Sequence, residues 1–330
     1  MPVKARTSRN LRASYSRVPL LGWFCGALIA VTLERFAGTP IALALGLPKI
    51  PVLFGLDIML KKPILVPSAI LYVLVVYGLP MGVTTRSSIS LTNRLATRLF
   101  RFPIAITVAV HLALLYTTLH LWAGISDYRT LVLKLTLIAV MLTLSLNVIN
   151  GYMGEFSCSH PGFMALGAYC ASVFTVGLFV DDRLFGAVFL PPALGPFLFP
   201  VALILGGLLA SFGALFVAIP SFRTRGDYLA IISLAFLFIV KSLIENLEFV
   251  RGPRGLSGQP DWADLPTVFL WTVLCVWSVN NFVRSTIGKA LNAVRDNEMA
   301  ASAMTVDTRR TKIVAFLFGA FWAGVAGGLF

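Results

Sequence analysis

The chain has 330 residues, is 58% hydrophobic and 12% charged, and carries a formal net charge of +13. Its apolar residues come in long uninterrupted runs, which excludes a soluble globular protein and points to bilayer-spanning helices of roughly 20 residues. The basic residues are spread over several loops between those runs, which argues against nucleic acid as a partner.

In chain order, the tail 1–17, MPVKARTSRNLRASYSR, has five basic residues and no acidic one. It reads as a cytoplasmic anchor for a first helix. A secretory signal fits less well, because no A-x-A site follows and Glu34–Arg35 close the first apolar run. An Arg- and Ser-rich transit peptide is the third reading. Nine candidate spans follow, at 18–33, 64–82, 102–123, 130–150, 162–180, 197–219, 228–246, 266–283 and 313–330. The segment 36–60 is apolar but broken by Pro40, Pro48, Lys49, Pro51 and Asp57, and reads as an extracytoplasmic, partly interfacial connection.

Lys and Arg set the orientation. With the N-terminus inside, the inner segments hold 17 basic residues and the outer segments 8, with Lys134 and Lys241 inside spans. Lys134 sits near a helix start, where it can snorkel. Lys241 and Glu245 are four residues apart, the spacing of a helix-face pair. The expected fold is therefore all-α: a polytopic transmembrane bundle of about nine spans, multi-pass, with a cytoplasmic N-terminus.

Several chemistries are missing. The sequence has no G-x-x-x-x-G-K-[ST] phosphate loop, no G-x-S-x-G elbow and no H-E-x-x-H pair. Cys25, Cys158, Cys170 and Cys275 are scattered, without metal-ligand or disulfide spacing. Carboxylates near a bilayer midplane, which ion-coupled carriers use, are sparse. No catalytic or metal site and no cofactor is expected in this chain, and any energy source must lie elsewhere.

Four segments carry the functional signal. In 145–172, SLNVINGYMGEFSCSHPGFMALGAYCAS, Gly and Pro interrupt an apolar helix beside polar groups. Backbone groups freed by such a break must be satisfied within protein or a watery cavity. Asn147, Asn150, Gly151, Ser157, Ser159 and His160 are the candidate substrate-pathway residues; a plain cytoplasmic turn is the other reading. In 219–246, Arg225, Gly226 and Asp227 form a cytoplasmic turn, with Asp227 a candidate N-cap. The loop GPRGLSGQP, 252–260, offers backbone for contact with a partner or substrate, or is an ordinary flexible loop. Residues 284–312 form a 29-residue mixed-charge connection between two spans, more than a turn requires. Helix formers fill Gly288–Ala301, and the small and Met side chains around Glu298–Met304 suit shallow docking into a groove on a cytoplasmic partner.

SLNVINGYMGEFSCSHPGFMALGAY, FRTRGDYLAIISLAF, GPRGLSGQP and STIGKALNAVRDNEMAASAM followed by KIVAFLFGAFWAGVAGGLF together resemble the LivM-type permease of branched-chain amino acid ABC importers. The resemblance covers roughly 130–330. It implies a permease core at 131–330 and a variable N-terminal extension with about three spans at 1–130. It also implies a site in the bacterial cytoplasmic (inner) membrane, among membrane lipid. A second permease subunit, a periplasmic substrate-binding protein and ATP-binding cassette subunits, which hold the ATP, would be partners. The substrate class would be branched-chain amino acids or a related amide or urea. Glu298, Ala300 and Ala301 match the Glu-Ala-Ala core of the importer coupling motif, and Arg295 and Met304 complete the set expected to engage the ATPase. Three departures stand out. Thr305 replaces the Gly usual after the coupling helix. Ser159–His160–Pro161 replaces Gly-His-Ala. The family continues with further spans past the position of Phe330, so a truncated or split product is expected as an alternative. The competing functions are an ATP-independent channel or carrier and an inactive fragment.

Overall fold

The computed structural model describes residues 19–48, 50–51, 62–181, 186, 189–222 and 228–330. The fold is all-α. In chain order the helices are α1 (Leu20–Ala44), α2 (Pro63–Ser87, with a π-helical stretch at Leu74–Gly78), α3 (Ile89–Leu99), α4 (Ile104–Ala123) and α5 (Asp127–Asn147, prolonged by a π-helical turn at Val148–Met153). Then follow α6 (His160–Phe179), α7 (Gly195–Ser221), α8 (Tyr228–Asn246), α9 (Leu265–Arg284), α10 (Thr286–Asp296), α11 (Glu298–Ala303) and α12 (Thr308–Leu329). Among the described residues nine helices are long and apolar enough to cross a membrane: all but α3, α10 and α11. The expected turn Arg225–Gly226–Asp227 lies outside the described residues.

The first helix departs from the sequence reading. It does not stop before Glu34 but runs to Ala44, through Pro40, so the first part of the supposed 36–60 connection is helical. Glu34 does not end the helix because its charge is met inside the protein. Arg129 donates from Nη1 to Glu34 Oε2 and from Nη2 to Oε1, both at 2.8 Å. Tyr72 donates to Oε1 at 3.3 Å and Tyr77 to Oε2. Trp122 Nε1 donates to the Tyr77 hydroxyl at 3.1 Å, and its ring lies 5.0 Å from the Arg129 guanidinium. Pro40 removes one backbone donor near the helix end, where the Leu47 amide closes back on the Ala42 carbonyl at 2.9 Å.

The chain forms two compact units, Met1–Leu133 and Lys134–Phe330. In the first, the Glu34–Arg129 network ties α1, α2, α4 and the start of α5. In the second, α6, α7 and α12 pack tightly against one another. Small residues let their backbones meet: a Cβ on Gly167 would lie 2.0 Å from the Gly324 carbonyl oxygen, and one on Gly206 would lie 2.8 Å from the Gly167 carbonyl oxygen. Phe163 fills the space beside this seam, edge-on to Phe316 at 5.5 Å and tilted against Phe236 at 5.3 Å. α12 is thereby packed closely against both neighbours.

The buried pair gives a direct test. Glu34→Ala and Arg129→Ala are each expected to destabilise the chain by about 3–5 kcal/mol, since each strands the other charge. The double variant should lose less than the sum, as measured by unfolding of the detergent-solubilised chain.

Candidate functional site

The break after α5 is built from its own sequence. Gly154 adopts the left-handed conformation, φ 78°, and ends the π-helical turn. Residues 154–159 then run without helix until His160 starts α6, with Pro161 in its first turn, where a missing N–H costs nothing. The freed polar groups are met by nearby side chains. Asn150 Oδ1 accepts from the Ser157 amide at 3.3 Å, and Ser233 Oγ on α8 accepts from the Cys158 amide at 2.9 Å. The Ser157 and Ser159 hydroxyls share a hydrogen bond at 2.8 Å. Ser157, Ser159 and His160 are buried, Asn150 and Gly151 are half-buried and Asn147 is exposed. The buried His160 ring meets the Ser145 backbone and lies edge-on to Phe163 at 6.0 Å.

The long connection between α9 and α12 folds as two helices, where the sequence placed helix formers over Gly288–Ala301 and a short docking helix around Glu298–Met304. Asn297 separates them: its backbone is extended, and its side chain caps α11 by accepting from the Ala300 amide at 3.0 Å. α11 ends in a Schellman motif. The Val306 amide donates to Ala301 O at 3.1 Å and the Thr305 amide to Ser302 O at 3.2 Å. Thr305 takes the left-handed position at φ 65°. The missing Gly therefore leaves the geometry intact, and a β-branched residue bears the strain. Asp307 then caps α12 by accepting from the Arg310 amide at 2.9 Å.

These two regions, separate in the sequence, meet. Lys312 on α12 donates to Glu155 Oε1 at 2.8 Å and to Glu298 Oε2 at 2.9 Å. Its side chain is 10% exposed, against 25% for Glu155 and 52% for Glu298. One ammonium thus holds the first residue of α11 and the break in the same grip. A second tie runs from Arg295 Nη1 to the Gly151 carbonyl at 3.1 Å, while Arg295 also pairs with Asp296. Of the residues expected to couple, Arg295 and Glu298 face the break. Ala301 is 5% exposed and packs inward. Ala300, Met299 and Met304 face outward, the two methionines 79% and 76% exposed. Sequence reasoning did not single out Lys312, Glu155 or Ser233 as site residues. Glu155 lies inside the first functional segment and Lys312 closes the long connection, and no local spacing links the two.

Toward the other end of α6, some 12–15 residues and hence about 20 Å along the helix, lies a cavity of about 420 Å³ lined by Tyr169, Ser172, Thr175, Phe199, Gln259 and Asp261 among others. The loop 252–260 forms one side of it, with Gln259 Nε2 donating to Ser172 Oγ at 3.2 Å. Asp261 pairs with Lys134 at 3.4 Å. Lys241 and Glu245 form an exposed helix-face pair at 3.9 Å. Among the described residues no His, Cys, Asp and Glu group has metal-ligand geometry.

Residues 128–330 match the family model described as branched-chain amino acid transport system / permease component. The high-affinity branched-chain amino acid transport system permease protein LivM of Escherichia coli (strain K12) is 30% identical over 231 residues, covering 59% of this chain and 50% of that protein. The protein of the same name from Salmonella typhimurium (strain LT2) is 29% identical over the same coverage. The chain spans about half the length of these curated relatives. No solved structure matches it.

Replacing Thr305 by Gly should relieve the left-handed strain and stabilise the chain by about 1 kcal/mol. A higher midpoint of thermal unfolding in detergent is the expected result; an unchanged or lower one contradicts the strain.

Proposed function

The chain belongs to the family of branched-chain amino acid permease components, and we propose that it is a membrane-spanning permease subunit of a binding-protein-dependent importer for branched-chain amino acids or a related amide or urea. It works in a bacterial cytoplasmic membrane with its N-terminus inside, beside a second permease subunit. ATP is hydrolysed by ATP-binding cassette subunits, and a periplasmic binding protein delivers the substrate. The excess of basic residues in 1–17, 84–101, 220–227 and 284–312 supports this orientation.

The observation that carries the reading is Lys312 shared between Glu298 and Glu155. The ATPase docks on the face of α11 that presents Met299, Ala300 and Met304, where small and flexible side chains permit close approach. Its closure displaces α11 as a rigid body. Glu298 passes that displacement to Lys312 and Glu155, and Arg295 passes it to the Gly151 carbonyl, so the break at 154–159 moves with the loop. Ser157 and Ser159 then exchange the hydrogen bond between their hydroxyls for contacts with the polar ends of the passing amino acid, beside the His160 ring. The cavity beside Ser172 and Asp261 receives the substrate at the outer end, where Phe199 and Leu256 supply apolar contact for its aliphatic side chain.

The test is ATP-dependent uptake of radiolabelled leucine by proteoliposomes holding the assembled complex. Ala300→Trp should abolish association with the ATPase subunits. Lys312→Met should leave association and ATP hydrolysis in place but lower uptake by on the order of 5- to 150-fold, the range of a typical coupling free energy. Uptake that proceeds without ATP, or an Ala300→Trp chain that still binds the ATPase, refutes the reading.

A further inference from the structure

The connection between α2 and α4 carries a surface that transport leaves unused. α3 is joined to α2 through Ser88 and to α4 through residues 100–103, and both neighbours are candidate spans. Links this short hold α3 at a membrane edge. Thr92 is the buried residue of α3. Ile89 and Leu99 are half-buried on its inner side, but Leu91 and Leu95, one turn apart, are exposed, and so are Phe100 and Phe102 just beyond. Arg94 and Arg98, also one turn apart, run along the flank of that stripe, with Arg101 in the next turn and Arg86 in the last turn of α2. All four arginines are exposed, and none makes an ion pair or a side-chain hydrogen bond among the described residues. The sequence itself offers no local counter-charge, since no Asp or Glu occurs between Asp57 and Asp127.

We propose that α3 is an interfacial helix that binds the phosphate headgroups of anionic phospholipids, with Leu91, Leu95, Phe100 and Phe102 entering the acyl boundary and Arg86, Arg94, Arg98 and Arg101 taking the phosphates. A basic helix with an apolar stripe, lying in the plane where two spans end, has the form of such an element. Clustered arginines beside a span favour anionic over zwitterionic lipid, each by an amount that falls off within a Debye length. A soluble acidic partner fits less well. It would meet the arginines but leave the adjoining leucines and phenylalanines uncovered, whereas the lipid that surrounds α2 and α4 covers both.

The full chain, purified in detergent, is titrated with a fluorescent phosphatidylglycerol and, separately, with the matching phosphatidylcholine. The wild type should prefer phosphatidylglycerol. The triple variant Arg94→Gln, Arg98→Gln and Arg101→Gln should bind it on the order of 10- to 100-fold more weakly, with phosphatidylcholine binding unaltered. Each single Gln variant should show a smaller loss, which keeps the test open if the triple variant misfolds. Lys241→Gln, a surface change on α8, should have no effect. Free inorganic phosphate should not displace the lipid. Equal phosphatidylglycerol affinity in wild type and Gln variants overturns the proposal, as does displacement by free phosphate. Loss of the ATP-binding cassette subunits from the Gln variants with lipid affinity intact also overturns it, and makes α3 a protein-docking face.

Discussion

One ammonium group ties together two distant segments of the C-terminal unit. Lys312 stands on α12, which is wedged against α6 and α7 through glycine contacts too close for any side chain. From that fixed base it reaches two carboxylates. Glu155 belongs to a stretch with no helix of its own to hold it, and Glu298 opens a helix of six residues. Neither short segment has much hydrophobic burial to fix its place, so shared charge takes over that task. Burial of the ammonium and partial burial of Glu155 strengthen the attraction relative to a fully exposed pair.

The N-terminal unit solves a similar problem by a different route. There the charged pair is deep, and every polar group near it finds a partner: Glu34 takes Arg129, Tyr72 and Tyr77, and Trp122 completes the chain. A buried charge removed from water is tolerated only when its lone pairs are filled in this way. The network joins α1, α2, α4 and the first turn of α5. The triad around Lys312 is more exposed than the buried Glu34–Arg129 pair.

Much of this was readable in the sequence, and the failures have a common cause. The spans follow from run length alone, because a helix surrounded by lipid needs nothing but apolar residues. The break at 154–159 was marked by Gly154 and Pro161, local signals for local geometry. Thr305 looked like a defect until its backbone proved to sit where Gly would. What the sequence hid were long-range pairs. Glu34 read as closing the first apolar run because its partner lies 95 residues away, and Glu155 drew no role because Lys312 lies 157 residues away. Spacing rules act within a helix turn or a hairpin; nothing in a single sequence reports such distant pairing of charges. The arginines of α3 read as a topology signal, because only a helix over Ile89–Leu99 sets Arg94 and Arg98 beside Leu91 and Leu95.

The central claim is that α11 and the break at 154–159 move as one element through Lys312. Amide hydrogen exchange in the assembled complex measures this directly, with and without nucleotide. In the wild type, nucleotide should change exchange in 154–159 and 298–303 together. In Lys312→Met the response at 298–303 should persist while that at 154–159 disappears. A nucleotide response at 154–159 that survives the loss of Lys312 would contradict the account.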